Sequence, residues 1–170
     1  DDFATWTEDL AALWKDWKAQ TPGPHVLAAH SMGGHLALRA TAERAVDPDA
    51  LLLSAPMLGF TASVLPDAVM HAAARVMKAL GDPRRPAWKG SEKPGQPPEA
   101  RVHLLTHDRE RYADELWWRE ARPELVMGPG SWGWVERAYA SMRGLFAPGL
   151  LGGVWQPVLI LATDNDKLVG

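Results

Sequence analysis

Ala29-His30-Ser31-Met32-Gly33-Gly34 is the stretch whose reading decides how this chain folds. It follows a short apolar run, His25-Val26-Leu27-Ala28-Ala29-His30, and precedes Leu36, Ala37, Leu38, Ala40 and Ala42 in a good helix-forming context. The run is too short for a helix and follows a breaker, Pro22-Gly23-Pro24, so it reads as a buried strand. A serine between a strand and a helix sits on a sharp turn that projects its hydroxyl. The positions two before and two after must be small, because strand and helix backbones pack together there. Gly33 meets that need, and Ala29 stands where glycine is usual. Ser31 is therefore a candidate nucleophile on an elbow made of Ala29, His30, Gly33 and Gly34. The Met32 amide, at the start of the helix, is a candidate donor to a developing oxyanion. Serine is also a common helix N-cap at an ordinary strand-to-helix turn, and it is the flanking strand and helix that favour the nucleophile. His30 points away from its neighbour on so sharp a turn, so its expected role is support or packing.

Outward from this stretch, Phe3, Trp6, Leu10, Leu13, Trp14 and Trp17 recur at three- and four-residue spacing, one face of an opening helix. After the elbow helix, Asp47-Pro48-Asp49 breaks the chain, and Ala50 to Ser54 forms a second buried strand ending at Ala55-Pro56. Strand, helix and strand make a βαβ unit with parallel strands. Pro157-Val158-Leu159-Ile160-Leu161-Ala162 is a third buried strand. About a hundred residues separate strands two and three, whereas a crossover needs roughly a dozen. The excess is too long for a structureless loop and predicts an inserted helical subdomain. Its helices are expected at 62–80, 108–122 and 131–144, with a polar, proline-rich loop at 89–99. The expected division is 1–57 core, 58–155 helical cap and 156–170 core strand and acid loop.

Composition narrows the function classes. Of 170 residues, 46% are apolar, enough for a real core, and the net charge of −3 gives no electrostatic case for nucleic acid. The absence of cysteine removes disulfides, thiolate metal sites and a cysteine nucleophile. No apolar run reaches the ~18 residues of a membrane span. Five of the nine tryptophans (Trp88, Trp117, Trp118, Trp132 and Trp134) fall in one central stretch of the insertion. Most are expected to form its core, with one or two lining an apolar substrate site.

A relay on this kind of elbow runs serine, then acid, then histidine in chain order. The third strand leads into Thr163-Asp164-Asn165-Asp166-Lys167-Leu168-Val169, which offers Asp164 and Asp166 as acids. Spacing alone does not separate them, and both residue types are also ordinary in turns. The six histidines (His25, His30, His35, His71, His103 and His107) all precede this loop. The base is thus expected beyond residue 170 and the second oxyanion donor before residue 1, which would leave the chain as given inactive. His103 and His107, four apart, could pair for a metal, but no third ligand stands at a convincing spacing. No metal or cofactor is expected.

Taken together, His30-Ser31-Met32-Gly33-Gly34, Asp49-Ala50-Leu51-Leu52-Leu53-Ser54-Ala55-Pro56-Met57 and Pro157-Val158-Leu159-Ile160-Leu161 resemble the lysophospholipase and monoacylglycerol lipase branch of the α/β-hydrolases, also labelled serine aminopeptidase-like. The inserted segment resembles the cap of bacterial lysophospholipase-type members, in Leu105-Thr106-His107-Asp108-Arg109, Pro123-Glu124-Leu125, Gly128 and Trp134. The resemblance implies a partial α/β-hydrolase fold, a parallel sheet flanked by helices with a helical cap. It implies Ser31 as nucleophile, Met32 as oxyanion donor and Asp166 as acid, because the family places its acid just before a basic residue and a Leu-Val-like pair. It implies a lipid-like carboxylic ester as substrate, transient contact with a membrane surface, and a cytoplasmic or inner-face location. Another carboxylesterase or aminopeptidase on the same fold, and a non-catalytic binding fragment, are the alternatives.

Overall fold

A computed structural model describes residues 2–61, 65–88 and 105–170. The opening helix, α1 (Phe3–Gln20), begins where the Asp2 carboxylate accepts the Ala4 amide at 3.2 Å, an ordinary N-cap. Its buried line is Phe3, Thr7 and Trp14. Leu13 and Trp17 were expected on that face, but they are exposed. The helix lies mainly on α2 (Ser31–Ala42), with Phe3 also reaching the helix at 132–145, and so needs a narrower stripe than the sequence offers. The Pro22-Gly23-Pro24 segment then turns the chain into β1 (Val26–His30).

β1, β2 (Ala50–Ser54) and β3 (Val158–Leu161) form a three-stranded parallel sheet in the order β1-β2-β3. Leu27 pairs with Leu51 and Ala29 with Leu53 across the first ladder. Leu51 with Val158 and Leu53 with Ile160 continue the same rows into β3. Side chains alternate faces along a strand. Leu51 and Leu53 pack under α2 with Ala37, Leu38, Ala42 and Leu145. Fully burying such a leucine is worth about 1.5–3 kcal/mol, so these two anchor the central strand. A second cluster joins Trp14 to Ala40 and Val46 at the other end of α2.

The expectation that all three strands are buried holds only for β2. Val26 is 50% exposed, and the four residues of β3 are 38 to 55% exposed. A continuous apolar run marks a parallel strand sheltered on both faces, but among the described residues no helix covers the outer face of this sheet or either side of β3.

Among the described residues, three α-helices lie in the long insertion. The first, α3 (Asp67–Ala79), starts later than the expected residue 62. Pro66 is its N-cap, and a proline disfavours helical geometry in the residue before it, here Leu65. Residues 62–64, the loop expected at 89–99, and His103 lie outside the described residues. The second, α4 (Arg109–Ala121), is capped by Asp108, whose carboxylate accepts the Glu110 and Arg111 amides. The third, α5 (Trp132–Leu145), is capped by the Ser131 hydroxyl on the Trp134 amide.

Burial along α5 follows helical spacing, through Val135, Ala138, Tyr139, Met142 and Leu145. Its first turns pack with Phe3, Met57 and Ala74, and its last residue packs with Leu51 and Leu53. The helix therefore belongs to two cores. The tryptophans differ from expectation: Trp88, Trp117 and Trp118 are 50 to 60% exposed, while Trp132 and Trp134 are only partly buried. Only Tyr112 is buried in α4; Trp117 and Trp118, five and six positions on, stand well round the helix from its face.

An apolar parallel edge is a template for another chain. The 170-residue chain is expected to sediment as more than a monomer at micromolar concentration. Leu159→Lys should shift it toward monomer in sedimentation velocity. An unchanged distribution would exclude β3 as the contact.

Candidate active site

Ser31, the loop after β2 and the loop after β3 all emerge at the carboxyl ends of parallel strands. In open parallel sheets that edge is where ligands bind. Ser31 has φ of +51°, in the left-handed region where a side-chain-bearing residue costs roughly 1–3 kcal/mol. An ordinary N-cap serine is extended and carries no such strain. Here it is His30, with φ of −120°, that occupies the extended N-cap position. Its ring Nδ1–H donates to the Ser54 carbonyl at 3.0 Å, which ties the end of β1 to the end of β2. The Ser31 carbonyl accepts the Met57 amide at 2.9 Å. Met32 follows directly in the first turn of α2, and the N-terminal amides of that helix favour negative charge at this point.

The small residues of the elbow are not equivalent. A methyl on Gly33 would meet only the Ala29 methyl, at 4.0 Å, ordinary contact. A methyl on Gly34 would lie 3.0 Å from the Pro56 Cβ and 3.1 Å from its Cα. The sequence pattern stresses Gly33, yet the close backbone approach is at Gly34, against the loop after β2 rather than against β1. Ala29 is tolerated because its methyl fills open space beside Gly33.

Asp164 and Asp166, inseparable by spacing, differ in the structure. Asp164 is exposed. Asp166 is partly buried, and its Oδ1 accepts the Leu168 amide at 2.8 Å and the Val169 amide at 3.0 Å. Two backbone donors fix one oxygen and leave the other available. The loop is held to the segment after β2, as the Thr61 amide donates to Leu168 and the Gly170 amide to Gly59.

Among the described residues no histidine ring hydrogen-bonds the Ser31 hydroxyl. His25 is held by Thr21, and His107 is exposed. His71, buried between α3 and α5, accepts from Arg143 at Nδ1, with Glu136 3.6 Å from Nε2. His35, one helical turn after Ser31, is fully buried. Its Nε2 is 2.7 Å from the Ser141 hydroxyl, which also accepts from Arg39 at 2.9 Å. Sequence reasoning gave His35 no role; its burial by α5 arises from contact with a residue about a hundred positions away. Burial, and secondarily the Arg39 charge, lower its pKa from 6.5 to about 4, with a contact to the Met57 backbone working weakly the other way. Two open surface grooves lie elsewhere, one beside Trp14 and Asp47 and one beside Arg75 and Glu136; neither is lined by Ser31 or Asp166.

A parallel sheet under helices, with a strained serine at a strand-to-helix turn, is the core of an α/β-hydrolase. The chain belongs to the family described as serine aminopeptidase, S33 (Hydrolase_4), whose model matches residues 1–170. It is 28% identical over 178 residues to lysophospholipase L2 of Escherichia coli (strain K12), covering 98% of this chain and 48% of that protein. The lysophospholipase L2 of Escherichia coli O6:H1 matches with the same figures. The crystal structure of Paleococcus ferrophilus monoacylglycerol lipase superposes with a TM-score of 0.62 at 18% identity, covering 94% of this chain and 53% of that one. The chain thus spans about half the length of the relatives it matches.

Gly33→Ala should be neutral or stabilising by about 0.5 kcal/mol, since alanine is the better helix former. Gly34→Ala should destabilise by roughly 1–2 kcal/mol net, because overpacking against Pro56 outweighs that gain. Urea denaturation of the two variants checks the order, and equal stabilities would contradict the packing described. The depressed His35 pKa has a defined sign: the unfolded chain binds the proton more tightly. Stability is complete above pH 6.5 and falls as pH drops toward 4, by up to roughly 3 kcal/mol. Melting temperature against pH for His35→Gln should be flatter over that window, and a parallel curve would exclude His35 as the source.

Proposed function

We propose that this chain carries the nucleophile and the acid of a serine hydrolase acting on lipid-like carboxylic esters, of lysophospholipase or monoacylglycerol lipase type. The observation that carries the reading is the positive φ of Ser31 at the strand-to-helix junction. Ser31 attacks the ester carbonyl, and the Met32 amide receives the oxyanion. Asp166 is favoured over Asp164 by its fixed Oδ1 and partial burial. It orients a histidine that takes the Ser31 proton and returns it to the leaving alcohol. No described histidine ring hydrogen-bonds the Ser31 hydroxyl, and the chain order serine, acid, histidine expects that histidine after Asp166. Water then releases the acyl group.

On this reading the described residues of the insertion ahead of α5 act as a cap beside the site. Their exposed Trp117, Trp118 and Met127 support a substrate with a long apolar part. The relatives' names, lysophospholipase and monoacylglycerol lipase, support the ester class, while the family description, serine aminopeptidase, supports an amide as the second substrate to test.

The longest natural chain containing this sequence should react with a fluorophosphonate, with the adduct on Ser31 by mass spectrometry and lost in Ser31→Ala. A folded protein without an adduct would overturn the nucleophile assignment. Turnover of a monoacylglycerol and a lysophospholipid above a peptide anilide is expected, and the reverse order would move the function to amide hydrolysis.

A further inference from the structure

Besides Ser31, a second strained residue stands at the carboxyl edge of the sheet. Ala55, directly after β2, has φ of +41°. A non-glycine residue keeps such a conformation only where its surroundings over-determine it, and here the surroundings are the two loops that carry the site. The Ala55 amide donates to the Leu161 carbonyl at the end of β3, at 2.8 Å. Two residues later the Met57 amide donates to the Ser31 carbonyl. Between them Pro56 meets Gly34 at the limit of approach. Further on, the segment pairs with the acid loop, where Phe60 bridges Val169 and the Thr61 hydroxyl reaches the Asp166 carbonyl at 3.4 Å. One stretch, residues 54–61, thus touches the elbow on one side and the acid loop on the other.

The spacing gives this arrangement a purpose. Ser31 and the acid loop lie two strand intervals apart across the end of β2, ~10 Å. An imidazole with a hydrogen bond at each end spans ~8 Å between its partners. The gap therefore has to be held to within a fraction of an ångström. A relaxed φ at Ala55 would redirect Pro56 and Met57 and break both contacts to the elbow. We propose that residues 54–61, turned at Ala55, gauge the distance between Ser31 and Asp166, with Ala55, Pro56 and Met57 as positioning residues. This rests on the reading of Ser31 as nucleophile.

The test uses the longest natural chain containing this sequence, with three variants. Ala55→Val places a β-branched residue at a positive φ that it resists. Ala55→Gly accepts the same backbone without strain. Val46→Ala hollows the cluster with Trp14 at the far end of α2 and controls for destabilisation alone. Ala55→Val should slow fluorophosphonate reaction at Ser31 about tenfold or more per folded molecule. It should lower kcat on a short-chain nitrophenyl ester while KM stays within about twofold. Ala55→Gly should recover most of the rate, and Val46→Ala should lower the melting temperature with the rate unchanged. If Ala55→Val does not fold, Gly34→Ala is read in its place, with the same loss expected. A folded Ala55→Val labelled at the normal rate, or a Val46→Ala slowed equally, overturns the gauge. An unaltered protein that is not labelled at Ser31 overturns the nucleophile reading, and the gauge with it; the failing control identifies that case.

Discussion

The parallel pairing of β2 with both of its neighbours is the constraint on which the remaining structure depends. Its register places His30, Ser54 and Leu161 in one row at the carboxyl edge. Three loops leave the sheet at that row, and each carries a piece of the proposed site. Leu51 and Leu53 hold β2 under α2, so the strand's position is fixed by burial and its edge then fixes the loops. A one-residue slip would turn both leucines to the open face. It would also part the His30 ring from the Ser54 carbonyl. Core packing and site geometry are therefore one problem in this sheet.

Most of the architecture was legible because its signals are local. The three strands fall at the predicted positions, as do the helices flanked by Asp108 and Ser131, where a capping side chain marks the boundary in the sequence itself. The elbow was legible for the same reason: a small-x-Ser-x-Gly pattern between a strand and a helix carries its own geometry. The comparisons agree on the fold and family. What escaped the sequence was everything set by partners distant in the chain. That Gly34 is tighter than Gly33 depends on Pro56. Nothing near His35 in the sequence announces Ser141. The exposure of β3 escaped for another reason: an apolar run reports what a strand is suited to, and not what lies over it.

Strain and satisfaction divide the site between them. Ser31 and Ala55 hold conformations that their residue types resist, while the groups around them are ordinary hydrogen bonds and close packing. Such a division is expected where geometry matters more than stability, since strained backbone persists only when neighbours fix it from several sides. The acid loop follows the opposite pattern. Asp166 has no special backbone and is placed by two amides of its own loop.

The double membership of α5 has a practical meaning for anyone exchanging parts between relatives. Its early turns share a core with α1 and α3, while Leu145 packs with the leucines of β2 and Ser141 touches His35 on the elbow helix. A chimera that swaps the whole insertion would import a foreign side chain beneath the native sheet. A junction placed before Ser131 keeps that helix with the sheet it serves, and one placed after Thr61 keeps the segment that touches both the elbow and the loop after β3.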